Sequence, residues 1–170
     1  MHAEVLQKPA SISALRQVVR HLLGRPEHGT GLLKEESRDW DALLRQHKAG
    51  CRILLVDDEP INQMIACEML EDVGLVVEVA DDGAQAVAKA LATPFDLILM
   101  DMQMPVLDGV SAAHQIREKK PESATPIIAL TANAFSEDRQ KCLAAGMNDF
   151  VSKPVDPEML FGVIWKWLSK

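Results

Sequence analysis

No apolar run in this 170-residue chain approaches the roughly 20 residues needed to cross a bilayer. The opening, Met1 to Ser11, also lacks the apolar core of a secretory signal. A cytoplasmic protein is therefore expected, or the cytoplasmic part of a longer, membrane-anchored chain, with no membrane contact by this segment. Cysteine is sparse. Cys51, Cys67 and Cys142 are odd in number, far apart and without a C-x2-C pair. That excludes a disulfide framework or a zinc site and leaves free, reduced thiols. Positive charge is in deficit. The net charge is −7 with no cluster of Lys and Arg, so nucleic acid is not an expected partner. Apolar residues at 48% and charged residues at 25% are ordinary for a globular protein.

From Arg52 onward short apolar runs alternate with segments at helical spacing. The runs are Ile53 to Val56, Val76 to Val79, Leu97 to Met100, Pro126 to Leu130 and Phe150 to Ser152. The helical segments lie near 60–73, 83–92, 107–119, 137–145 and 156–169. Five strand–helix repeats read as a (βα)5 α/β unit with a parallel sheet. Near-continuous apolar strands imply that both faces of the sheet are covered. In the last helix, Asp156 is placed to cap and Pro157 suits the first helical position. Leu160, Val163, Ile164, Trp167 and Leu168 then form an apolar stripe facing the core. Phe161 and Trp165 sit four apart on another face, where they either cover a helix edge or form a partner-binding patch.

The N-terminal part is less regular. Gly24 to Gly31 is rich in breakers and reads as a linker. Lys34 to His47 is a candidate charged helix around Trp40, Leu43 and Leu44. Ahead of the linker, Ile12, Leu15, Val18, Val19, Leu22 and Leu23 make an apolar helical stripe. When Lys8-Pro9 is aligned with Lys153-Pro154, Leu15 falls on Leu160, Val18 on Val163, Val19 on Ile164 and Leu23 on Leu168. Residues 1–23 thus resemble the last strand and helix of a second copy of the same domain. The expected division is 1–23 from an upstream copy of the same domain, 24–50 as linker with some helix, and 51–170 as the main domain.

Chemistry gathers at the carboxyl ends of the predicted strands. Strand 1 ends in Asp57-Asp58-Glu59, strand 3 in Asp101, strand 4 in Thr131 and strand 5 in Lys153-Pro154. In open α/β sheets the ligand site lies at that edge. Two carboxylates ~4 Å apart repel by ~4 kcal/mol at an effective dielectric of about 20. Asp57, Asp58 and Asp101 together therefore call for a cation or a bound proton. Hard oxygen ligands with room for water and a phosphoryl oxygen suit Mg²⁺. Asp101 is placed to attack phosphorus in line and form an acyl phosphate. Lys153 pairs with the carboxylate and then with phosphoryl oxygens, the Thr131 hydroxyl hydrogen-bonds those oxygens, and Ala132 leaves space for the group to enter. Taken singly, each residue has a plainer role. Asp57 and Asp58 would cap the helix that Pro60 begins, Asp101 would be a solvated loop residue, Thr131 an ordinary strand-end residue and Lys153 a surface charge.

Four segments carry a family resemblance. Leu54 to Pro60 (LLVDDEP), Leu99 to Gly109 (LMDMQMPVLDG), Ala129 to Ala132 (ALTA) and Phe150 to Pro154 (FVSKP) resemble the receiver domains of two-component response regulators. The likeness runs from Arg52 to Lys170. It implies the flavodoxin-like doubly wound sheet of strand order 2-1-3-4-5, for which a member of this family is itself the standard example. It implies that Asp101 is the phosphorylation site, and that Asp58, Asp101 and the Gln103 backbone carbonyl bind Mg²⁺ with support from Asp57. Thr131 and Phe150 would be the switch pair, Lys153 the phosphate-binding lysine, and the Lys153–Pro154 bond cis. Asn62, Met102 to Pro105, Leu130 to Phe135 and Ala145 to Phe150 further resemble the C-terminal receivers of hybrid sensor histidine kinases. Phe150 stands where many relatives carry Tyr, so any switching must use ring burial without a hydroxyl.

The expected function is phosphoacceptance in a two-component phosphorelay. A phosphohistidine on a histidine kinase or histidine phosphotransfer domain docks near the helix starting at Pro60 and passes its phosphoryl group to Asp101. Thr131 and Phe150 then bias the fourth helix, fifth strand and fifth helix, which would bind a protein output partner. Gln103 and Asn133 flank the site and are expected to tune hydrolysis. The chain has no kinase ATP-site glycines and no donor motif around its five histidines, so it only assists its own phosphorylation and dephosphorylation. A hybrid histidine kinase is the expected parent, with a stand-alone response regulator, a phosphate shuttle or a non-phosphorylated docking module as alternatives. A haloacid-dehalogenase-type phosphohydrolase also uses an Asp nucleophile and Mg²⁺. It needs a second acid two residues on, where this chain has Gln103.

Overall fold

A computed structural model describes residues 39–133 and 136–170. The expectation for residues 1–23, and most of the linker, lie outside them. Eleven elements follow in order among the described residues: α1 (Trp40–His47), β1 (Arg52–Val56), α2 (Pro60–Asp72), β2 (Val76–Ala80), α3 (Gly83–Ala92), β3 (Leu97–Asp101), α4 (Gly109–Lys119), β4 (Ile127–Thr131), α5 (Ser136–Ala144), β5 (Asp149–Ser152) and α6 (Pro157–Leu168).

The five strands form one parallel sheet of order β2-β1-β3-β4-β5. The central strands β3 and β4 are buried along their whole length, as their apolar runs require. β2 forms an edge and is correspondingly more open. Side chains alternate across the sheet. Leu54, Val56, Ile98, Met100, Ile127 and Ala129 pack with Ala86, Ala90, Ala112, Ala113, Ile116 and Cys142 of α3, α4 and α5 in one core cluster. The intervening positions Ile53, Leu55, Leu97, Leu99, Ile128 and Leu130 are equally buried, on the opposite face. The three cysteines are free.

Helix boundaries follow their caps. Asp156 accepts a hydrogen bond from the Met159 amide and Pro157 opens α6, as expected. The third predicted helix begins at Gly109, two residues later than its periodicity suggested. Asp108 caps it by accepting from the Ser111 amide, which holds residue 108 extended.

α6 departs from the expected stripe. Leu160 and Ile164 are buried, but Val163, Trp167 and Leu168 are only half-buried. Phe161 is buried at 1% exposure. The reading of Phe161 and Trp165 as an open partner patch is thereby corrected. Helix α1 covers this side of α6. Leu44 of α1 is fully buried, and the Trp40 indole lies where a Cβ on Gly162 would meet it at 3.5 Å. The His47 ring meets Trp165 edge-on at 5.9 Å. Lys48 Nζ lies 5.5 Å from the Trp165 ring and donates to the Leu168 carbonyl at 2.6 Å, satisfying an orphan carbonyl at the helix end. Arg45 ties the same helix to Asp72 at the end of α2, 3.0 Å away.

Candidate functional site

The carboxyl ends of β1, β3, β4 and β5 meet at one edge of the sheet. Oxygen atoms from Asp57, Asp58 and Asp101 all lie within 4.8 Å of one another, the one such acidic group among the described residues. Asp57 and Asp101 are buried at 3% and 5% exposure, and Asp58 is half-buried. Neither Asp57 nor Asp58 caps α2. Its N-cap is Glu59, which makes no side-chain cap bond. The capping role is therefore removed for both carboxylates.

Lys153 enters from the end of β5. Its Nζ lies 2.9 Å from Asp101 Oδ2 and 3.3 Å from Asp57 Oδ2. Burial disfavours this charge, but hydrogen bonds and attraction from Asp101, reinforced by Asp57, outweigh it and raise the Lys153 pKa above its ordinary value. One ammonium thus offsets part of the mutual repulsion of two buried carboxylates. The other oxygens are held by the backbone. Asp57 Oδ1 accepts from the Glu59 amide at 2.9 Å and Asp101 Oδ1 from the Gln103 amide at 3.1 Å. The donor set is all hard oxygen with excess negative charge, which fits a divalent cation such as Mg²⁺.

The loop after β3 is clamped at both ends by glycine. A Cβ on Gly109 would overlap the Asp101 carbonyl oxygen, and one on Gly83 would overlap the Leu107 carbonyl oxygen. Between the clamps, the Leu107 amide donates to the Pro105 carbonyl at 2.8 Å, closing a three-residue turn. Val106 at its centre has φ +69°, a strained conformation for a β-branched residue.

These residues frame a cleft of about 410 Å³ lined by Asp58, Asp101, Gln103, Thr131, Asn133 and Lys153, with Glu59, Asn62, Met102 and Ala132 beside them. Asp138 and Lys141 of α5 also line it, 3.9 Å apart. Sequence reasoning missed both, because nothing in an ordinary charged helical turn marks it as facing a cleft. Thr131 is 5% exposed. Its hydroxyl donates to the Asn133 carbonyl at 2.8 Å and accepts from the Asn133 amide at 3.1 Å, so its bonds are spent locally. Phe150 is half-buried against the core, outside the cleft, with the Arg139 guanidinium 5.6 Å from its ring. The Lys153–Pro154 bond is cis.

Three known proteins are similar to this chain in sequence or fold. The sensor histidine kinase GacS of Pseudomonas protegens is 39% identical over 169 residues, covering 98% of this chain and 17% of GacS. The receiver domain of the sensor histidine kinase PA1611 from Pseudomonas aeruginosa, solved with a magnesium ion coordinated in its active-site cleft, is 46% identical with a TM-score of 0.67. The match covers 72% of this chain and 100% of that one. The co-crystal structure of the Saccharomyces cerevisiae histidine phosphotransfer protein Ypd1 with the receiver domain of its downstream response regulator Ssk1 matches at 33% identity and a TM-score of 0.68, over 71% of this chain and 90% of that chain. This chain spans between 7% and 17% of the length of curated histidine kinases to which it is similar. Residues 53–164 match the response regulator receiver domain as a family, and the chain belongs to that family.

Proposed function

We propose that this chain accepts a phosphoryl group on Asp101 from a phosphohistidine, as the receiver segment of a hybrid sensor histidine kinase. One observation carries the reading: three carboxylates converge within 4.8 Å at the strand ends while Lys153 bridges two of them. Asp58, Asp101 and the Gln103 backbone carbonyl are the proposed Mg²⁺ ligands, supported by Asp57. Mg²⁺ bound there neutralises charge on the carboxylates and on the entering phosphoryl oxygens.

The chain's own residues do the rest. An Asp101 carboxylate oxygen attacks phosphorus as the P–N bond of the donor histidine breaks. Lys153 moves from the carboxylate to a phosphoryl oxygen. Thr131 exchanges its bonds to Asn133 for the same group, and Phe150 follows it inward as the second member of the switch. Gln103 and Asn133 stand at the cleft rim where they tune attack by water. A histidine kinase or histidine phosphotransfer partner is proposed to dock on α2, whose Ile61 and Met64 are both 63% exposed beside the acidic edge. The likeness to the Ssk1 receiver, solved with such a partner, supports this. The face of α5, β5 and α6 is the proposed output surface.

No described helix is long and apolar enough to cross a membrane, and a cytoplasmic position is proposed. Residues 1–23 are proposed to end an upstream receiver-like domain, with 24–50 as linker and 51–170 as the receiver.

The test is intact-mass spectrometry after incubation with acetyl phosphate, with and without Mg²⁺, on wild type and Asp101→Asn. One added phosphoryl group that needs both Mg²⁺ and Asp101 is expected. If no adduct forms but beryllofluoride binds, the acyl phosphate is short-lived. If neither binds, the chain is a docking module and the proposal fails.

A further inference from the structure

Asp57 is held through its backbone as well as its carboxylate. Its amide donates to the Ala80 carbonyl at the end of β2, 3.2 Å away. Its carbonyl accepts from the side-chain amide of Gln63, in the first turn of α2. The same Gln63 nitrogen donates to Asp81 Oδ1 at 2.9 Å. A carbonyl and a carboxylate carry no hydrogen, so the group between them has to be the NH2 end of the amide, with both hydrogens spent. Gln85 braces Asp81 from the first turn of α3. Its Oε1 accepts from the Asp81 amide at 3.3 Å, and its Nε2 donates to Asp81 Oδ2 at 3.4 Å. Gln63 therefore ties the β1–α2 loop, which carries Asp57 and Asp58, to the β2–α3 loop. Gln63, Asp81 and Gln85 are not among the residues lining the cleft.

We infer that Gln63 is a positioning residue for the cation site: its amide, braced by Asp81, sets the loop that aims the Asp57 and Asp58 carboxylates. This rests on the reading of the acidic cleft as a Mg²⁺ site. Mg²⁺ demands near-octahedral geometry and tolerates little ligand drift. The segment from Asp57 to Pro60 is where drift would come most readily, because the carboxylates it carries repel one another and Asp101. Gln63 removes that freedom without adding a charge or a ligand. Without it, the Asp57 carbonyl must bond to water, and the two loops lose their side-chain link.

The experiment is calorimetric titration of Mg²⁺ into the full chain with no phosphodonor present, paired with thermal melts in a chelator. Gln63→Ala is expected to weaken Mg²⁺ binding about tenfold, the lower end of the usual effect of partners behind metal ligands. Gln63→Met keeps the length of the side chain and loses both donors, and is expected to weaken Mg²⁺ binding as much as Gln63→Ala. Asp81→Ala is expected to fall between. Wild-type affinity in Gln63→Ala, whatever its melting temperature, would make Gln63 a stability contact only and overturn the inference. Wild-type affinity in Gln63→Met would assign the effect to packing and overturn it too. Should Gln63→Ala not fold, wild-type affinity in Asp81→Ala overturns it. Absence of Mg²⁺ binding by wild type would instead sink the cation reading beneath it.

Discussion

The Lys153 ammonium lies 2.9 Å from Asp101 Oδ2, although 52 residues separate them in the chain. It is the cation that compensates two buried carboxylates, with a second contact to Asp57. Lys153→Ala leaves both without it. Breaking a largely buried ion pair from one side is destabilising. Since the Lys153 side chain is 25% exposed, the expected loss is discounted to about 1–2 kcal/mol in the absence of Mg²⁺. Urea unfolding with and without Mg²⁺ checks it. Added Mg²⁺ should restore more stability to the variant than to wild type, and equal responses would show that the ammonium and the cation do not share a task.

Gly109 admits no side chain without moving the backbone at Asp101, the end of β3. Gly109→Ala is expected to destabilise by about 1–3 kcal/mol, the usual cost of overpacking. It should also slow or abolish phosphorylation of Asp101, because the strand end itself is displaced. A thermal melt and the phosphodonor assay together check this. A variant that is stable and fully active would show that the loop adjusts freely.

Val106 is 83% exposed and contributes nothing to the core, yet it occupies a left-handed conformation. Strain of about 1–3 kcal/mol at such a site is offset in part by the roughly 0.5–1 kcal/mol that glycine costs through the unfolded chain. Val106→Gly is therefore expected to raise stability by about 1 kcal/mol. Denaturant midpoints measure it, and a loss of stability would mean that the valine methyls make a contact worth more than the strain.

Asp149 gives stability a pH dependence on the acid side. Burial pushes its carboxyl up, but hydrogen bonds from the Trp167 indole, Lys166 and the Phe150 amide, with the Lys166 charge, outweigh burial and hold it below its ordinary value. A carboxyl depressed in the folded state adds stability above its unfolded pKa, near 4, and that stability is lost as pH falls through the folded value. Wild type should thus exceed Asp149→Asn in stability at pH 6, and the gap should close as pH drops below about 4. A gap that does not change with pH would assign the difference to packing.

Leu44 of α1 has no solvent exposure. Leu44→Ala is expected to cost about 2–3 kcal/mol, at the low end for a buried leucine because a short helix can settle into the space. Tryptophan emission should shift to the red as Trp165 and Trp40 gain water. Unchanged stability and emission would show that α1 is not docked in solution.

Much of this protein is legible in its residues because the signals are local. Apolar runs such as Leu97 to Met100, too short for a helix, read as buried strands. Asp156 and Pro157 mark a helix start through chemistry confined to one turn. The placing of Asp57, Asp58, Asp101, Thr131 and Lys153 at strand ends follows from those strands and the edge of a parallel sheet. What covers Phe161 and Trp165 does not follow, since a helical stripe shows that a face is apolar and not which element meets it. Folding assigns that role to α1. Asp138 and Lys141 face the cleft, and Gln63 reaches both the Asp57 carbonyl and Asp81, for the same kind of reason. Each depends on how far one loop carries a helix towards another, a distance that emerges only when all five strands are in register.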